Sequence, residues 1–336
     1  MNRIAAWAVA LAALLLAACD ARRPAGPPQA LVIALAEQSA MALVYVAEKQ
    51  GYFREQGLAV SYRRFDLGRD ALASALAGDA DLATVFDLPV SRRLAAGDDL
   101  VVLSTLHRST RSHVLLARRD RGIERPADLR GKRIGVTPGI SANYFLTLFL
   151  TSHGLATAAV TEVALEPADY EKALMSGAVD ALASFNSHTY TLRAALGPER
   201  SVVFQTDLYA ETSVLAGRRD RVEAKREAVT RALRALVRAE TFLQREPAAA
   251  LDNVVESLAG KFPEAAVREG WPALRFEARL DNLLLTHLIQ QGHWLSERDS
   301  RQPPLPDIRR ALAPEYLLGA NPRSVTLLQG GAEGRP

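Results

Sequence analysis

Cysteine is almost missing from this sequence: Cys19 is the only one in 336 residues, so no disulfide can form within the chain. No His-x-x-x-His pair occurs, and with a single cysteine His107 and His188 lack a plausible metal constellation. A Gly-x-Ser-x-Gly elbow is absent too, and no catalytic triad emerges. Aromatic residues make up only 6% and do not interleave with the basic clusters, which speaks against a nucleic-acid partner. Large charge imbalance is lacking, with 41 Lys and Arg against 38 Asp and Glu. The groups Arg118-Arg119-Asp120-Arg121, Arg130-Gly131-Lys132-Arg133 and Arg218-Arg219-Asp220-Arg221 are diluted by acids or glycine and read as solvated surface.

What is present begins at the N-terminus. Arg3 precedes an apolar run over 4–15 that is too short to span a bilayer, and small residues follow, the pattern of an export signal over 1–18. Leu16-Ala17-Ala18-Cys19 resembles the lipobox of bacterial lipoproteins, which implies a lipidated Cys19 as the mature N-terminus and attachment to a membrane. The alternative is an incidental cysteine in an ordinary signal peptide. Asp20 resembles a signal that keeps lipoproteins on the periplasmic side of the inner membrane. Residues 19–29, rich in Pro and small side chains, read as a tether.

Beyond the tether, short apolar runs alternate with amphipathic stretches, the pattern of an α/β body with mainly parallel sheets. Strands are expected at 30–35, 59–64, 80–85 and 100–106, with helices at 40–50, 70–77 and 89–96 between them. A second series, with strands near 114–117, 133–136, 159–165, 179–183 and 201–204, forms its own lobe. From 220 onward the pattern is helical, with segments at 220–244, 247–258, 263–269 and 279–295. The expected division is 30–112 with 214–318 as one lobe and 113–213 as the other, joined by two hinge crossings. Residues 319–336 are expected to be a disordered tail.

Four segments carry a family resemblance. Ala47-Glu48-Lys49-Gln50-Gly51-Tyr52-Phe53-Arg54-Glu55-Gln56-Gly57-Leu58 is similar to the A-x-E-x-G-Y/F-F-x-x-x-G-L stretch of nitrate, sulfonate, taurine and thiamine-precursor binding proteins of ABC importers. Ala75-Leu76-Ala77-Gly78-Asp79-Ala80-Asp81 and Ala173-Leu174-Met175-Ser176-Gly177-Ala178-Val179-Asp180 resemble their A-L-x-x-G-x-x-D segments. Asp128-Leu129-Arg130-Gly131-Lys132-Arg133-Ile134-Gly135-Val136 resembles D-L-x-G-K-x-I-G-V. The resemblance implies a two-lobed periplasmic-binding-protein-like fold of type II, a monomer, a small-molecule ligand, permease and ATPase partners, and no cofactor.

Ligands of open α/β sheets collect at the carboxyl ends of parallel strands. The candidates there are Gln38 and Ser39, Phe86 and Asp87, Ser109 and Thr110 in the first lobe. Gly139, Ser141 and Ala142, Phe185 and Asn186, and Glu211 are their counterparts in the second lobe and at the second crossing. Gly139 and Ser141 precede a helix that would offer free N–H groups to an anion, though Ser141 as a simple cap fits equally. Asp87 either caps a helix or pairs with an amine of the ligand. The expected function is capture of a small anionic or zwitterionic sulfur or nitrogen compound by cleft closure, without catalysis. The alternatives are a biosynthetic enzyme on the same scaffold and an exported sensor.

Overall fold

The computed structural model describes residues 26–298 and 306–327, with residues 186 and 187 described in backbone only. The expected signal, Cys19 and most of the tether lie outside the described residues. The main strands are β1 (Gln29–Ala36), β2 (Leu58–Phe65), β3 (Leu82–Phe86), β4 (Leu100–Ser109), β5 (His113–Arg118), β6 (Arg133–Val136), β7 (Thr161–Ala164), β8 (Ala181–Phe185), β9 (Ser201–Phe204), β10 (Glu211–Arg218) and β11 (Arg275–Phe276). They form two sheets, ordered β11-β4-β10-β3-β1-β2 and β7-β6-β8-β5-β9.

Both sheets have a parallel half, β3-β1-β2 and β7-β6-β8. Every residue of β3 and of β8 is buried, so these central strands are covered on both faces. The remainder of each sheet is antiparallel, against the expectation of mainly parallel pairing: β10 opposes β3 and β4, and β5 opposes β8 and β9. The reason is topological. Each of these strands starts at the sheet edge where its neighbours end, Ser213 opposite Phe86 and His113 opposite Phe185, so it must run back.

The helices that matter below are α1 (Ala42–Lys49), α2 (Gly68–Ala77), α3 (Asp87–Ala95), α4 (Ser141–Ser152), α5 (Tyr170–Ser176), α6 (Asn186–Leu196), α7 (Arg226–Arg245), α8 (Glu264–Gly270) and α9 (Asn282–Arg298). Helix α7 buries Val229, Leu233, Leu236 and Leu243 at helical spacing in the larger core, which it shares with α1 and the first sheet. The single helix expected over 220–244 is broken at Lys225, whose backbone leaves the helical region (φ −114°, ψ 29°) while its ammonium reaches the Asp81 carboxylate at 2.7 Å. The chain after 319 does not behave as a tail throughout: Val325–Thr326 pairs with Leu280–Asp281, and Ser324 is buried. Residues 328–336 lie outside the described residues.

The two Ala-Leu-x-x-Gly-x-x-Asp segments have the same job in each sheet. Helices α2 and α5 stop at Gly78 (φ +90°) and Gly177 (φ +74°), left-handed positions that suit glycine. Asp81 then accepts the backbone N–H of Val32 at 2.8 Å, and Asp180 that of Arg133 at 3.0 Å, tying β3 to the start of β1 and β8 to the start of β6. The arginine clusters complete the brace. Arg218 at the end of β10 donates to the Leu76 carbonyl at 3.0 Å, and Arg118 at the end of β5 to the Leu174 carbonyl at 2.8 Å, so each satisfies the open end of a helix. Both guanidinium groups also pair with the aspartate two residues on, Asp220 and Asp120. These clusters are structural ties, not merely solvated surface.

Candidate functional site

The carboxyl ends of β1, β3 and β8 and the start of β10 converge between the sheets. Phe86 and Phe185, the last residues of β3 and β8, face each other from opposite lobes with ring centroids 6.0 Å apart and planes 23° from parallel. Around this stack lies a pocket with a free volume of about 50 Å³, walled by Gln38 and Ser39 after β1, Ser112 at the first crossing, Glu211 at the head of β10, and Ala266, Gly270 and Leu274 from α8 and its sequel. Five of the residues expected from the sequence, Gln38, Ser39, Phe86, Phe185 and Glu211, thus share one wall.

Glu211 is 1% exposed, and its Oε1 lies 3.2 Å from Nε2 of His113, itself 3% exposed. The orientation does not make a hydrogen bond, and both atoms are left without a partner. Burial lifts the Glu211 carboxyl well above its usual range, reinforced by Asp87, while Ser112 and Ser141 pull weakly the other way. Burial holds the His113 imidazole down to about 3, with His107 adding to the effect. The pair therefore leaves the Glu211 Oε1 and the His113 Nε2 still to be satisfied. Such orphaned polar atoms are costly unless something arrives to meet them.

Asp87 is placed differently from the sequence expectation. Its carboxylate does not face the pocket; it is fully buried and taken up by the protein. Oδ1 accepts from the Tyr209 hydroxyl at 2.5 Å, the Leu88 N–H at 2.8 Å and Ser141 Oγ at 3.3 Å, and Oδ2 accepts from the Thr212 N–H at 3.2 Å. Gln291 of α9 donates to the same Tyr209 oxygen at 3.3 Å and accepts from Ser91 at 2.9 Å. Burial raises the Asp87 pKa, opposed by these donors and by nearby His287. The residue is a junction that ties α3 of one lobe to α4 of the other, to the second crossing and to the C-terminal helix.

Other expected residues fall away from the pocket. Ser141 is 1% exposed and aims at Asp87; the residue at the cap of α4 is Ile140, without a side-chain cap, so Ser141 is neither cap nor exposed donor. Ala142 is buried beside Ile140 and Phe185. Ser109 donates to the Ala273 carbonyl at 2.6 Å and accepts from the Arg111 N–H, which secures the first crossing to the segment after α8. Thr110 is not in the wall of this pocket. Gly139 lines a separate basic recess with Arg69, Arg92 and Arg93, where the lobes also touch through Arg69, bound to Glu166 at 2.7 Å and to the Pro138 carbonyl at 2.9 Å. The Asn186 side chain lies outside what is described. Sequence reasoning passed over His113 and Gln291. His113 sits beside the first crossing, a usable signal, whereas Gln291 has no local one.

With this geometry in place, comparison with known proteins is informative. Residues 38–250 match the family described as NMT1/THI5 like. A putative aliphatic sulfonates-binding protein of Escherichia coli (strain K12) is 30% identical over 149 residues, 44% of this chain and 46% of that protein. The chain spans about half the length of the curated relatives it matches. Among solved structures, the periplasmic aliphatic sulphonate binding protein SsuA from Escherichia coli superposes with a TM-score of 0.72 at 21% identity, covering 87% of this chain and 99% of SsuA. A cysteine-to-serine variant of DSZB, a desulfurization enzyme, in complex with biphenyl-2-sulfinic acid gives 0.60 at 20% identity, covering 88% and 99%. The two-lobed architecture is therefore the periplasmic-binding-protein fold. With the match running through well over half of its length, the chain belongs to the NMT1/THI5-like family.

Proposed function

We propose that this protein is the exported, lipid-anchored solute receptor of an ABC importer and that it captures a small organic sulfur or nitrogen compound, sulfonates foremost, by closing two lobes over it. The observation that carries this reading is the convergence of Gln38, Ser39, Phe86, Phe185 and Glu211 from both lobes and a crossing strand onto one pocket. A solute held there touches both lobes at once and favours the closed form by contacts that opening removes. Cys19 supplies the anchor on the periplasmic face of the inner membrane, and the permease and ATPase subunits read the closed form.

The enzyme reading is weaker on chemical grounds. The neighbouring desulfurization enzyme was solved with a cysteine replaced, whereas no cysteine follows Cys19 here, so the folded body holds no thiol nucleophile. A thermal-shift screen with ethanesulfonate, taurine and hydroxymethylpyrimidine tests the receptor reading. Saturating ligand is expected to raise Tm by about 5 °C. Failure of every class to shift the melt, or turnover of any of them, overturns it.

A further inference from the structure

We propose that the binding site has two compartments and takes an extended organic anion: a donor-bearing end, amine or hydroxyl, meets Glu211 inside, and the anionic end rests in an outer groove beside Arg193 and Arg111. The inference rests on the receptor reading and names its substrate class.

The inner compartment is poorly suited to an anion. None of the residues walling it is Lys or Arg, its only ionisable group is Glu211, and the free oxygen of that group asks for a donor. Its free volume of about 50 Å³ also holds only one end of an organic solute. Ala266 and Gly270 separate it from a second cavity of about 450 Å³, which they also line. That cavity has the opposite character. Arg193 and Tyr190 of α6, Arg111 at the first crossing and Gln205 near the second line it, against a single acid, Glu269.

Arg193 is exposed, and no hydrogen bond or ion pair engages its guanidinium among the described residues. The groove lies between α6 of the second lobe and the 266–273 segment of the first, so a solute filling both compartments also spans the closure. An apolar middle would lie along Ala266 and Gly270, the two small residues that line both cavities. A short aminosulfonate reaches one compartment only, whereas a longer one reaches both.

Isothermal titration of the full-length mature protein with taurine, aminohexanesulfonate and hexanesulfonate tests this. Aminohexanesulfonate is expected to bind about tenfold tighter than taurine. Arg193→Ala, on an exposed position that leaves folding intact, is expected to weaken aminohexanesulfonate about fivefold and taurine less than about twofold. Arg193→Glu enlarges the difference. Glu211→Gln is expected to weaken aminohexanesulfonate but not hexanesulfonate. Affinity independent of chain length, or equal losses for short and long ligands in Arg193→Ala, rejects the second compartment while leaving the receptor reading standing. No binding by any of the three removes both.

Discussion

The two lobes share one plan and differ in where they spend their charges. In each, a helix stopped by glycine leads through an aspartate into a fully buried strand that ends in phenylalanine, and an arginine from the opposing strand closes the helix end. Asp180 finds its cation 47 residues back in Arg133, at the start of β6, at 2.9 Å, while Asp81 takes Lys225 from the helix break 144 residues on. After the phenylalanine the lobes diverge further. The first continues with Asp87, whose carboxylate becomes the junction between lobes, and the second with Asn186. The lesson is that the scaffold is repeated, but the element that couples its halves is carried by one copy alone.

The strongest way to break this contrast is to remove the junction. Asp87→Ala leaves the Tyr209 hydroxyl and the Leu88 and Thr212 N–H groups without their acceptor in a dry interior, and is expected to cost about 3 kcal/mol by urea denaturation. Asp87→Asn, which keeps the shape, is expected to cost less; equal costs would mean that the charge, not the set of hydrogen bonds, carries the junction.

Next in size is the paired brace. The Arg118 side chain is 6% exposed and Arg218 34%. Arg118→Ala is expected to destabilise by about 2 kcal/mol, and Arg218→Ala by clearly less. The reverse order in denaturant midpoints would contradict the view that the second lobe depends more on its buried tie.

The smallest effect, taken per pH unit, sharpens the comparison at the hinge. His107 at the end of β4 and His113 at the start of β5 are both buried and both held down to about 3 from the ordinary 6.5. A depressed histidine contributes stability that is complete above its unfolded value of 6.5 and is lost as the pH falls toward 3. Each therefore adds a loss of about 1.4 kcal/mol per pH unit within that window. Glu211, raised by burial, acts in the opposite sense, its contribution complete below 4.5 and lost as the pH rises through its folded value. His113→Phe is expected to halve the acid slope of Tm, leaving the His107 share; an unchanged slope would show that the imidazole does not stay neutral.

Much of this was legible in the sequence. The fully buried runs of β3 and β8 and the glycine stops after α2 and α5 are local signals, and the rule that sites gather at strand ends points to Gln38, Ser39, Phe86, Phe185 and Glu211, which the structure brings to one pocket. What sequence did not reveal depends on distant partners. Asp87 turns inward because Tyr209 stands 122 residues on and waits with a hydroxyl. The arginine clusters looked solvated because the carbonyls they meet lie 56 and 142 residues away. Ala266 and Gly270 reach the pocket wall from a helix far along the chain, and small residues carry no chemical signature of such a place.

The Asp87 junction has a consequence for how the molecule comes apart. Because one carboxylate is shared by α3, α4, the second crossing and, through Tyr209 and Gln291, α9, neither half can melt while the other stays dry at that point. The same knot is thus expected to act as a fuse: heat that loosens it should release both halves in one cooperative event, a single calorimetric transition.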